Sequence, residues 1–258
     1  MRRSGMATAV SVIVPVHNEE NMLKRTLTSI LMLNANEWLF ILDRCEDRSQ
    51  KIIQEYAEKL DRNIKFLVVN SKSNWSRHVN FLYDLGVRNA SSERVYRTAA
   101  DIVQDYNSIN RYLTANFDMV SFAVYPAPQS IFNFWNLFTS WTIRHMPFLR
   151  KVGFSGTFVI NKSKYFQCPL KKEDKLLFDT LLYKRFKEKG FTYCFVDAFN
   201  RNLRSYVKEK RYGIGVARAR LKQPMIKVLL LSIARLMPQM FVGYWHARFR
   251  RSNVNDQN

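Results

Sequence analysis

Short runs of valine, isoleucine and leucine alternate with stretches of helical periodicity through the first half of this chain, and few architectures accept that order. Residues Val10–Val16 form an apolar run of the kind found in a strand covered on both faces. A helix follows, with Asn18 as its cap, Glu19 and Glu20 in its positive first turn, and Leu23, Leu27, Ile30 and Leu31 on one face. The pattern then repeats: a strand over 38–42, a helix marked by Ile52, Ile53, Tyr56, Ala57 and Leu60, and a strand over 66–69. A helix over 76–87, a strand over 95–99, a helix over 109–113 and a strand over 119–124 complete the series. Such alternation implies right-handed crossovers and an α/β fold with a mostly parallel central sheet flanked by helices. Ligands of such sheets bind beyond the carboxyl ends of the strands.

The second half is less regular. An aromatic stretch over 131–141 precedes a strand over 157–160, a helix over 173–189 that closes at Gly190, and a strand over 193–196. With 258 residues and 47% hydrophobic content, the chain can build one sizeable core. The reading is one catalytic domain over 1–215 and a basic amphipathic segment over 216–258. Cys45, Cys168 and Cys194 lie far apart with no C-x-x-C pair, which fits a reducing, cytoplasmic compartment. Arg2, Arg3 and the apolar run after them superficially resemble a signal peptide, but no small-residue cleavage site follows, and the run reads as the first strand.

Three acidic positions fall where strands end or a long helix begins: Asp43, Asp101 and the pair Glu173-Asp174. Each has a plain structural reading as a turn former or helix cap. Together they are suited to one cleft.

Their order resembles the family-2 glycosyltransferases of the GT-A fold, over roughly residues 8–215. The stretch from Ser11 through Pro15, His17, Asn18 and Glu19 to Glu20 is similar to that family's opening strand and its proline-x-x-asparagine-glutamate turn. Leu42-Asp43-Arg44-Cys45-Glu46-Asp47 is similar to the aspartate-rich segment after the second strand. The resemblance implies a single GT-A domain, an inverting transfer from a nucleotide-sugar donor to a hydroxyl or lipid-phosphate acceptor, and donor contacts from Pro15, Asn18, Glu19 and Asp43, with Asp47 capping the next helix. Ala99-Ala100-Asp101 stands where the family carries Asp-x-Asp. Asp101 is then the metal ligand and a donor contact, and Ala99 departs from the pattern. A divalent cation, Mg²⁺ or Mn²⁺, can be held by one carboxylate with phosphate oxygens and waters. Glu173-Asp174 resembles the family's Glu-Asp pair, which makes Asp174 the catalytic base and places Glu173 and Gly156 on the acceptor side.

A sugar hydroxyl is a poor nucleophile at neutral pH, so direct displacement needs a carboxylate to take its proton. A departing diphosphate needs positive charge. Lys208, Lys210 and Arg211 precede Tyr212-Gly213-Ile214-Gly215 where the family has a basic loop, and solvated surface charge is the plain alternative. Arg77 and His78 are further candidate donor contacts. The four histidines show no metal-ligand spacing, and there is no Walker loop or G-x-G-x-x-G.

The formal net charge of +20 calls for an anionic partner. Residues 201–251 hold thirteen Lys or Arg against Glu209 alone, and enclose a mostly apolar run over 225–245. Arg235 near its middle costs about 2.5 to 3.5 kcal/mol in a bilayer centre against about 0.3 to 0.6 gained per large apolar residue, so a span is affordable by that sum, but Pro238 and Gln239 next to Arg235 argue against it. As one helix, the run places Ser232, Arg235 and Gln239 on a narrow face and apolar residues around it, which suits the interface of an anionic membrane. Packing on the protein's own core is the plain alternative. The expected partners are a nucleotide-sugar donor, a lipid-linked or glycan acceptor and an anionic membrane surface, with peripheral attachment on the cytoplasmic face. A nucleic-acid-binding protein is the rival reading, but the chain has no recognition helix, zinc knuckle or RNP-like strand. A catalytically inactive binding subunit of the same fold is the third, on the strength of Ala99.

Overall fold

The computed structural model describes residues 9–70, 75–126, 138, 156–168, 178–204, 212, 214–216, 218–219, 222–234 and 238–249. The chain forms two compact units, Met1–Tyr125 with Gly153–Leu203 and Pro126–Val152 with Arg204–Asn258.

The first unit is built on β1 (Val10–Val16), α1 (Glu20–Leu31), β2 (Glu37–Asp43), α2 (Ser49–Lys59), β3 (Ile64–Val69), α3 (Trp75–Asn89) and β4 (Arg94–Arg97). It continues through β5 (Ile102–Val103), α4 (Tyr106–Asn110), β6 (Met119–Pro126), β7 (Phe158–Asn161), α5 (Lys162–Phe166), α6 (Phe178–Glu188) and β8 (Tyr193–Asn202). Its sheet runs in the order β3-β2-β1-β4-β7-β6-β8-β5. The parallel reading holds for the first half, where β1 pairs with β2 and β4, and β2 with β3. In the second half β7 runs antiparallel to β4 and β6, and β5 antiparallel to β8.

Burial on both sides explains the unbroken apolar runs. Val10, Val12, Val14 and Val16 of β1 pack with Leu23, Leu27 and Ile30 of α1 and Ile52 and Ile53 of α2. Ile13 points the other way, into a cluster with Ile41, Leu82, Val87, Leu182 and Phe186. There α3 sits so close that a methyl on Gly86 would lie 2.5 Å from Ile13 Cγ2 and 2.8 Å from Ile41 Cδ1. Gly190 takes the left-handed conformation expected of it (φ 72°) and ends α6, with Phe191 N–H donating to the Phe186 carbonyl at 3.0 Å.

Several sequence expectations are corrected. Asn18 does not cap α1; Glu19 occupies the cap position, and its side chain does not cap the helix. The helix expected over 109–113 starts earlier, at Tyr106, because the Asp105 carboxylate accepts the Ser108 N–H at 3.2 Å. The strand expected over 193–196 continues to Asn202, where its far end pairs with β5.

In the second unit the single helix expected over the apolar run is two, α7 (Met225–Ala234) and α8 (Pro238–Phe249). Pro238 opens α8, a position where its missing N–H is harmless. The two run antiparallel, since the Tyr244 hydroxyl in α8 donates to the carbonyl of Gln223, just before α7, at 2.7 Å. Among the described residues, no helix is long and apolar enough to cross a membrane.

Candidate active site

The site grows from the carboxyl end of β1. Pairing of β1 with β4 runs from Val10↔Arg94 to Ile13↔Arg97, and Thr98 N–H then donates to the Ile13 carbonyl at 3.1 Å. The backbone of β1 alternates sides, so Pro15 faces the same neighbour as Ile13, just past the last of these bonds. A residue without an N–H is tolerated there because no ladder bond is lost. β1 stays paired with β2 through Val16↔Leu42, so β1 outruns its pairing with β4 at its carboxyl end, the end at which ligands of such sheets bind.

The turn after β1 locks onto the turn after β2. Asn18 (φ 50°) and Arg44 (φ 47°) both take the left-handed region. The Asn18 side-chain carbonyl accepts the Glu46 N–H at 2.8 Å, and His17 Nδ1–H donates to the Asp43 carbonyl at 2.7 Å. Asp47 accepts the first N–H of both helices, Glu20 at 2.9 Å and Ser49 at 3.0 Å, while Ser49 Oγ accepts the Glu19 N–H at 2.9 Å. Burial pushes the Asp47 carboxyl up, but these hydrogen bonds outweigh it and hold it below the ordinary range. Glu19 is buried.

Asp43 stands at the end of β2 with its side chain fully buried. Arg44 covers it: Nη2 lies 2.8 Å from Oδ2, and Nε 3.2 Å from Oδ2 and 3.3 Å from Oδ1. The Arg44 side chain remains one-third exposed, so a cation covers the carboxylate that sequence reasoning singled out. The basic residue directly after the strand-end aspartate was the available signal.

Asp101 sits, half-buried, on a pinned turn. Thr26 of α1 donates to the Ala100 carbonyl at 2.7 Å, and Leu203 N–H donates to the Asp101 carbonyl at 2.8 Å. Gln104 braces the turn through Tyr96 Oη (2.6 Å), Thr98 Oγ1 (2.8 Å) and the Ile102 carbonyl (2.8 Å). Beneath it, the fully buried guanidinium of Arg97 lies 3.2 Å from the Tyr83 ring centroid and 4.9 Å from that of Phe158. Burial, foremost, lowers the Arg97 pKa. Tyr83 donates to the Thr98 carbonyl at 2.8 Å. Burial raises its hydroxyl pKa, Arg97 draws it back down, and the carboxylates of Asp101 and Asp179 raise it further. Asp101 and Asp179, the latter in the first turn of α6, therefore act electrostatically on one phenol. Asp179 was missed by sequence reasoning, which stopped at the more conspicuous acidic pair upstream.

Asp174, Glu173, Lys208, Lys210 and Arg211 lie outside the described residues, as do the side chains of Arg77 and His78 in the first turn of α3. Gly156 precedes β7, and a methyl added there would meet nothing within 4 Å among the described residues. Among the described residues, no three His, Cys, Asp or Glu side chains gather to hold a metal. Asp101, the sole carboxylate of residues 98–104, fits a cation held through one protein ligand and completed by phosphate oxygens and water.

Comparison with known proteins matches residues 11–169 to glycosyl transferase family 2. Among solved structures, S. aureus TarS 1–349 in complex with UDP superposes with a TM-score of 0.55 at 17% identity, covering 82% of this chain and 64% of that one. Glucosyl-3-phosphoglycerate synthase from Mycobacterium tuberculosis, in complex with Mn²⁺, UDP and glucosyl-3-phosphoglycerate, does so with a TM-score of 0.53 at 13% identity, covering 84% of this chain and 81% of that one. This chain thus spans less than two thirds of that TarS structure. No curated protein sequence matches it. The family match over more than half of the residues leads to one assignment: this chain belongs to glycosyl transferase family 2.

Proposed function

We propose that the protein is an inverting glycosyltransferase that moves a sugar from a nucleotide-diphosphate donor to a hydroxyl or lipid-phosphate acceptor at an anionic membrane surface. The observation that carries the reading is the match to glycosyl transferase family 2, together with the end of the β1–β4 pairing at Ile13↔Arg97, with Asp43 at the carboxyl end of β2 and Asp101 on the turn after β4. The nucleoside lies against the Pro15–Glu19 turn and the Asp43–Arg44 pair. Asp101 faces the diphosphate and, with a divalent cation bound, serves as its protein ligand; the cation supplies charge neutralisation. Lys210 and Arg211 offset the charge that develops on the leaving diphosphate.

In the transfer itself, a carboxylate takes the acceptor hydroxyl proton while the oxygen bonds to the anomeric carbon and the bond to the diphosphate breaks, inverting that carbon. Asp174 is assigned this role by resemblance, with Glu173 and Gly156 toward the acceptor. Asp179 is the competing candidate, because its charge reaches the Tyr83–Arg97 pair under Asp101. A lipid-phosphate acceptor is already anionic and needs orientation only.

The test is a thermal-shift screen of UDP-, GDP-, CDP- and dTDP-sugars, each with Mg²⁺, Mn²⁺ or EDTA. A ligand that binds the folded state alone raises its stability in proportion to the logarithm of concentration over Kd. One nucleotide sugar should shift the transition, and the same donor should then support transfer with inverted anomeric configuration by NMR. No shift with any nucleotide, together with tight, salt-sensitive binding to DNA or RNA, would instead establish the nucleic-acid reading.

A further inference from the structure

The second unit is inside-out in one respect. On α7 the residues turned inward are Val228 and the polar Ser232, whose hydroxyl is satisfied by the Val228 carbonyl at 2.7 Å. Turned outward, at helical spacing, are Ile226, Leu230 and Ile233, each about 60% exposed (60%, 59% and 62%). α8 repeats the theme: Met240, Gly243 and Tyr244 are buried, while Val242, Trp245 and Phe249 are exposed, with the Trp245 and Phe249 rings 4.4 Å apart. A soluble surface seldom gathers large apolar side chains in this way.

The inner faces of these helices are already occupied. Tyr244 reaches back to Gln223, and the helical stretch around Tyr212 and Gly215 lies directly on α8. A methyl on Gly215 would fall 1.8 Å from the Met240 carbonyl oxygen, and one on Gly243 would fall 2.2 Å from the Tyr212 carbonyl oxygen. Tyr212 and His246 close the contact, Oη to Nδ1, at 3.2 Å. Turning α7 over would bury three apolar side chains only by exposing Val228, which packs with Ala219 and Tyr244.

We infer that the outward faces of α7 and α8 dock in the plane of an anionic lipid bilayer, with Ile226, Leu230 and Ile233 entering the acyl boundary. The helices have 10 and 12 residues. At 1.5 Å per residue they reach about 15 and 18 Å, well short of the roughly 30 Å hydrocarbon core, so they lie along the surface. Charge selects lipid over a protein partner. The exposed cations Lys222, Lys227 and Arg248 flank the apolar faces, and the 201–251 stretch carries thirteen Lys or Arg against Glu209 alone. The inference deepens the membrane part of the function proposed above and is independent of its donor chemistry.

The test is flotation of the full chain with phosphatidylcholine vesicles, with and without phosphatidylglycerol, at low and high salt. Hydrogen exchange is read on the same samples, and the donor thermal shift is measured separately. The chain should float with the anionic vesicles, retain part of its binding in high salt, and gain protection in residues 225–249. Each side chain is about 60% exposed, so Leu230→Glu and Ile233→Glu should each weaken partitioning by about tenfold with the donor shift intact. Equal flotation of these variants, complete release by salt without protection of 225–249, equal binding to neutral vesicles, or no binding would each overturn the inference. So would protection of 225–249 that rises with protein concentration in the absence of vesicles, which would identify a second copy as the occupant. Loss of the donor shift in the wild type with vesicle binding intact would count against the transferase reading alone.

Discussion

Glu37 is the acidic residue whose contribution can be worked out most directly. It opens β2, is almost fully buried, and accepts hydrogen bonds from Ser11 Oγ, from Ser91 N–H at 2.5 Å and from Lys65 Nζ at 2.8 Å. Burial alone would raise its pKa, but the bonds from Lys65, Ser11 and Ser91 prevail and lower it from 4.5 to about 2. A depressed carboxylate pKa contributes stability that is complete above the unfolded value of 4.5 and is lost as pH falls toward about 2. The shift corresponds to about 3 kcal/mol, and because Lys65 is half exposed and its share is screened, about 2 to 3 kcal/mol is expected. Glu37→Gln keeps the shape, removes the charge and turns a donor toward Lys65. Denaturant unfolding followed by hydrogen exchange in the β1 peptide should place the variant about 2 to 3 kcal/mol below wild type at pH 7, with a gap that closes between pH 4.5 and about 2. A gap that stays constant over that window, or no gap at pH 7, would refute the electrostatic account and leave only packing.

Asp43→Ala should weaken donor binding by about 10- to 100-fold, whereas Arg44→Ala, which uncovers the Asp43 carboxylate, should tighten it; isothermal titration that moves both in one direction would refute the cover. Asp174→Asn and Asp179→Asn, assayed side by side on a hydroxyl acceptor, identify the base as the one that loses turnover while donor affinity stays near normal. Asp101→Ala should abolish the difference in donor affinity between Mn²⁺ and EDTA, and Ala99→Asp should enlarge it; a wild type with equal affinity in both would show that diphosphate is neutralised by Lys and Arg alone. Gly243→Ala sets a methyl against the Tyr212 carbonyl oxygen and should destabilise the second unit by about 1 to 3 kcal/mol or more, seen as faster exchange over 238–249; unchanged exchange there would refute the close crossing.

Local periodicity carried much of this protein. The valine run of β1, the apolar stripe of α1 and the left-handed glycine ending α6 are each properties of a few consecutive residues, so they were legible as written. The strand-end positions of Asp43 and Asp101 followed from the same reading. What could not be read were decisions made between distant segments. Asn18 satisfies Glu46 rather than its own helix because the turns after β1 and β2 meet. Arg44 covers Asp43 because its left-handed backbone turns the guanidinium back on the preceding carboxylate. Glu37 is buried at low cost only because Ser11, Lys65 and Ser91 converge from three other segments. Amphipathic spacing told that α7 has two faces but not which is turned inward. Tertiary packing turned Val228 inward, against Ala219 and Tyr244, and Ser232 tolerates the buried side because its hydroxyl bonds within its own helix.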